Sequence, residues 1–131
     1  MHLHAHVARS AAATHGALLA ACRAHGLVVA GTRETPRGPS GRACFVIELA
    51  DPLPGVPDDA TPSAATRNVY PVSVFDTDPG HCKIATLLPA AFVDLLGHPE
   101  VAPAAHAFER TLRAVLDEAA GVSPGGPPVA P

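Results

Sequence analysis

The sequence predicts an α+β domain with element order β-α-β-β-β-β-α-α, a mainly antiparallel sheet carrying its helices on one face. Three observations support this. The strand-like segments are grouped in the middle of the chain instead of alternating with helices. Two of them, within Asn68–Pro89 (NVYPVSVFDTDPGHCKIATLLP), flank the turn formers Asp76-Thr77-Asp78-Pro79-Gly80, the pattern of a β-hairpin. A long apolar stripe of helical period follows them. A length of 131 residues suits one core and not two, so residues 1–120 are expected to form a single domain and 121–131 a disordered Pro/Gly-rich tail.

Taken in order, His2–Ala8 alternate, with His2, His4 and His6 on one side and Leu3, Ala5 and Val7 on the other. That is a half-buried strand with a histidine face. Ser10 can cap a helix over Ala11–His25 that Gly26 ends, with Ala11, Leu18, Leu19 and Cys22 inward and His15 near the edge of that stripe. Gly16 weakens the middle of this helix by about 1 kcal/mol against alanine. Leu27–Thr32 reads as a short strand, and the prolines and glycines of Glu34–Arg42 as a loop. Ala43–Ala50 (ACFVIELA) is a central strand in which Phe45, Ile47 and Leu49 face one layer and Cys44, Val46 and Glu48 the other. Four prolines exclude a regular helix over most of Asp51–Arg67.

The hairpin arms span about Val69–Asp76 and His81–Leu88, and Pro71, which lacks a donor, places its arm at a sheet edge or at a bulge. Ala90–Leu96 is a short helix stopped by Gly97. Val101–Ala120 is the strongest helix, with Val101, Ala105, Phe108, Leu112, Val115, Leu116 and Ala119 on one stripe. Glu109–Arg113 and Arg113–Asp117 make i,i+4 pairs on its wet side.

Composition excludes several functions. A net charge of −3 without a basic run gives nothing to neutralise a phosphate backbone, so no nucleic-acid partner is expected. No apolar stretch approaches the roughly 18 residues of a membrane span. The segment MHLHAHVARS has no charged start followed by an apolar run, so it does not read as a secretory signal. Three cysteines match neither a disulfide framework nor a structural zinc site, and the expected location is cytoplasmic with reduced thiols.

NVYPVSVFDTD leading into CKIATLLP, then AAFVDLLG and HPEVAPAAHAFERTLRAVLDEA, resembles a bacterial family, domain-of-unknown-function family 302. The strand–helix–strand opening that ends at GLVV, and FVIELADP, fit the same layout. The resemblance implies a compact α+β fold, commonly dimeric, and no general activity. Many members carry Cys-Asn-Pro after the central strand and Pro-Cys at the hairpin. Here those places read Ala50-Asp51-Pro52 and Tyr70-Pro71-Val72, so no thiol chemistry and no functional residue carries over.

The candidate site residues are His4, His6, Glu48, Tyr70 and Lys83. Strand side chains two apart stand about 7 Å from each other on one face, so neighbours in the His2/His4/His6 row can share a metal, with Glu48 as third ligand if the two strands are adjacent. A solvated or dimer-facing strand explains the same pattern. Lys83, the sole lysine, can act as a base or form a Schiff base beside apolar neighbours, or can simply protect an edge. Asp76 and Asp78 read as turn formers bonded to nearby amides. Tyr70, the sole tyrosine, closes a pocket or packs in the core. Cys22 and Cys44 read as core fillers, and Cys82 as the more exposed thiol.

These residues support a dimeric small-molecule-binding domain with its pocket on the open sheet face. The alternative is a cofactor-independent pathway enzyme (a lyase, isomerase or cyclase) using histidine and carboxylate acid–base chemistry. A third reading is metal or haem binding through the histidine row; the sequence specifies no cofactor.

Overall fold

The computed structural model describes residues 2–36, 41–50, 69–89, 91 and 102–121. The Pro-rich segment 51–67, the short helix expected at 90–96 and the tail at 121–131 lie outside them, apart from Ala91 and Gly121.

The described elements follow the α+β order: β1 (His2–Val7), α1 (Ala11–Ala24), β2 (Val28–Glu34), β3 (Cys44–Ala50), β4 (Val69–Asp76), β5 (Cys82–Leu87) and α2 (Ala102–Ala120). The strands form one sheet in the order β1-β5-β4-β3-β2, antiparallel throughout. One side of β1, β3, β4 and β5 is buried, while β2 contributes only the half-buried Val29. Leu3, Ala5 and Val7 of β1 join Ile47 and Leu49 of β3, Val72 and Val74 of β4 and Ile84 of β5 in a single core. The helices cover it: α1 lies over β2 to β5, while α2 packs against α1 and β1. From α2 the core receives Ala105, Phe108, Leu112, Val115, Leu116 and Ala119, the stripe that its periodicity specifies. Burying each large apolar side chain of this set contributes about 1.5–3 kcal/mol.

Local chemistry sets the ends of α1. The Ser10 hydroxyl accepts from the Ala13 amide at 3.2 Å. Gly26, at φ +78°, reverses the chain so that the Leu27 amide reaches the Cys22 carbonyl at 2.9 Å. The helix runs unbroken through Gly16. In the hairpin, the His81 amide bonds to the Asp78 carbonyl at 2.9 Å, and Gly80 at φ +75° follows Pro79, the order that a type II turn requires.

Two expectations about the sheet are corrected. Pro71 lies neither at an edge nor at a bulge, because β4 is the middle strand of the five. The proline is tolerated because pairing of β4 with β5 begins only at Val72. Its carbonyl accepts the Thr86 hydroxyl at 2.9 Å, and its nitrogen points the same way, beyond the last rung. The irregularity lies in β2 instead. Val29 pairs with Leu49 and Gly31 with Glu48, so Ala30 is an extra residue. That insertion turns Thr32, opposite Ile47, towards the helices, and Arg33, opposite Val46, towards the open side.

Candidate functional site

The alternation of β1 leaves His2, His4 and His6 on the side of the sheet away from the helices, with Leu3, Ala5 and Val7 in the core. Because β1 pairs with β5, His2 stands opposite Leu87, His4 opposite Ala85 and His6 opposite Lys83. Facing residues of an antiparallel pair hold their Cβ atoms about 4.5–5.5 Å apart, within direct reach of each other. The His4 and His6 rings lie edge to face with centroids 5.9 Å apart. Desolvation, then the positive charges of Lys83, His6 and His2, pull the His4 pKa below its ordinary value. The structure therefore gathers three histidines and the sole lysine at one edge of the open face.

A cleft of about 330 Å³ opens where β1 ends, lined by His6, Val7, Ala8, Thr77, Asp78, His81 and Cys82. It forms because β5, which follows the hairpin turn, lies beside β1, so the turn meets the end of the histidine strand. His81 and Thr77 thus join His6, a grouping that residue spacing alone does not reveal.

The other candidates lie elsewhere. Glu48 is on the open face, but β5 and β4 separate β3 from β1, three strand spacings or about 14 Å. It pairs instead with Arg33 at 3.3 Å. The histidine row and Glu48 therefore do not form one ligand set. Among the described residues no three His, Cys, Asp or Glu side chains are gathered to hold a metal ion. Tyr70 faces the helices, away from the histidines. It is buried, donates its hydroxyl proton to the Leu87 carbonyl, and meets the Phe108 ring edge to face at 5.0 Å. Burial, then the Glu109 charge, raises its pKa, so it stays a neutral core donor.

Asp76 does bond to backbone amides, but to distant ones. It accepts from Ala11 at 2.7 Å and from Ala43 at 3.4 Å. Cys82 is not exposed: it is buried in the core and donates to the Thr14 hydroxyl at 3.2 Å, with a pKa raised by burial. Burial likewise pushes the Cys22 thiol up to about 11. On the helix side, His15 stacks on Phe45 with centroids 4.6 Å apart, and its Nε2 lies 2.6 Å from the Thr32 hydroxyl.

A fully antiparallel five-stranded sheet with helices on one side and a histidine-rich edge on the other defines a small α+β domain, one of whose sheet faces is open among the described residues. Among solved structures the chain is similar to an uncharacterized conserved protein DUF302 from Bacillus stearothermophilus. The TM-score is 0.71 at 17% identity, covering 90% of this chain and 97% of that one. The shared feature is the fold, in agreement with the resemblance read from the sequence. No sequence-family profile matches the chain, and no curated protein matches it.

Proposed function

We propose that this is a small-molecule-binding domain, working as a homodimer, whose ligand sits on the open sheet face at the His4/His6/Lys83 edge. The observation that carries the reading is the convergence of His4, His6 and Lys83 on the side that the helices leave uncovered. Polar groups that converge beside a cleft are what a binding site needs, and the 330 Å³ cleft that His6 lines is of small-molecule size. The rest of the open face favours a second copy. The half-buried Phe75 and Ala85 on its central strands still present apolar surface there, and Val28 at the β2 rim is 62% exposed.

A fragment screen read by amide chemical shifts tests the site. Hits should perturb β1, β5 and the hairpin turn, and a set that perturbs only the helix side overturns the reading. Light scattering at micromolar concentration should give twice the chain mass; a monomer removes the dimer from the proposal.

An acid–base enzyme is the second reading, favoured by one observation. The lowered pKa of His4 keeps its imidazole neutral at pH 7, as a general base requires.

A further inference from the structure

We infer that the ligand of the His/Lys edge is a small molecule carrying an oxyanion, a carboxylate or a phosphate, which His6 and Lys83 grip together. This rests on the reading that the ligand sits at that edge. The charges that β1 and β5 present there are of one sign. His2, His4 and His6 project from β1 and Lys83 from β5, with neutral Leu87 and Ala85 opposite His2 and His4 and neutral Phe75 opposite Lys83 on β4.

Among the described residues no carboxylate forms an ion pair with any of the four. The pairs His25–Glu118, Arg33–Glu48 and Arg113–Glu109 lie elsewhere. Asp76, the nearest acid along β4, is occupied by the Ala11 and Ala43 amides. The hairpin turn brings Thr77, His81 and the single acid Asp78 to the cleft beside His6. A lysine and an imidazolium facing each other across a strand pair are both donors. An oxyanion between them receives charge-assisted hydrogen bonds from two sides and relieves their repulsion. Thr77 and His81 then supply further donors to the part of the ligand that enters the cleft.

The whole chain carries a net charge of −3, so a long polyanion would be repelled beyond this patch, and the match is to a small anion. For acetate, which stays ionised across this range, binding strengthens on acidification because each neutral imidazole becomes cationic as it gains a proton. Phosphate itself gains a proton near neutrality, so its dependence on pH is weaker. The lowered pKa of His4 puts its own step below pH 6.5.

The test titrates inorganic phosphate and, separately, acetate into the protein while following the imidazole proton resonances. It is run one unit above and one unit below the ordinary histidine pKa of 6.5. The expected result is a saturable shift of the His4 and His6 signals. For acetate, affinity should fall about tenfold for each pH unit above the titration of a required imidazole. The two anions separate the sources: tighter phosphate binding assigns a phosphoryl ligand, and equal binding a carboxylate. Lys83→Gln should weaken binding at least tenfold, while Lys83→Arg should retain it, with the amide spectrum confirming that both fold.

The inference is overturned if neither anion gives a saturable shift, if Lys83→Gln binds like the parent, or if duplex DNA saturates the edge and phosphate does not. A neutral fragment that binds this face when both anions fail would sink the oxyanion inference and leave the proposed binding site standing. If nothing perturbs the face, both fall.

Discussion

The carboxylate of Asp76, at the end of β4, accepts a 2.7 Å hydrogen bond from the amide of Ala11, the first residue of α1. α1 has no acidic residue in its own first turn, so the hairpin supplies the negative charge that its N-terminus attracts. Two segments 65 residues apart are joined at this point. Asp76→Ala should cost about 1–2 kcal/mol in urea unfolding. Asp76→Asn, which keeps an acceptor, should cost less. Equal stability of all three proteins would show that the contact does not matter.

Tyr70 is the only tyrosine, so phenolate absorbance reports it alone. Its pKa is raised in the folded state, so the native protein holds the proton at pH values where the unfolded chain has lost it. Stability is therefore complete below the ordinary phenol value of 10.0 and falls as pH rises past it, at most about 1.4 kcal/mol per unit. Tyr70→Phe should remove this slope and cost about 1 kcal/mol at neutral pH, through loss of the bond to the Leu87 carbonyl.

The sign is opposite for His15, whose pKa burial lowers. The unfolded chain takes up its proton first, so this stability is present above pH 6.5 and is lost as pH falls through the native value. A double-mutant cycle of His15→Ala and Thr32→Val should give a coupling of about 0.5–1.5 kcal/mol. It should shrink in acid if the neutral ring is the acceptor.

Gly16 lies inside α1 at ordinary helical φ, and a methyl group there meets nothing within 4 Å. Gly16→Ala should raise stability by about 0.8–1 kcal/mol, read as a higher urea midpoint at unchanged slope.

Much of this fold is legible because the sequence repeats a simple signal. The stripe of Phe108, Leu112, Val115 and Leu116 can only be a helix face, and the alternation of His4, Ala5, His6 and Val7 can only be a strand with two unlike sides. What spacing hides is which strands become neighbours. Glu48 and the histidines share a face, yet nothing in their spacing shows that two strands lie between them. Strand pairing also decides the environments of Pro71 and Cys82. Without it the proline reads as an edge residue and the thiol as solvent-facing. The meeting of His6 with His81 exists only because the last strand returns beside the first.

The extra residue at Ala30 works as a phase shift in β2. Upstream of it, odd-numbered Val29 faces the core; downstream, even-numbered Thr32 faces the helices while odd-numbered Arg33 faces away from them. The Thr32 contact with His15 and the Arg33 pair with Glu48 lie on opposite sides of the sheet, and both are timed by that one residue. Point changes at either contact leave the other intact. Deleting Ala30 itself would only remove the bulge and keep Thr32 opposite Ile47 and Arg33 opposite Val46. A one-residue slip of the downstream segment against β3 would instead exchange the two side chains and abolish both links at once.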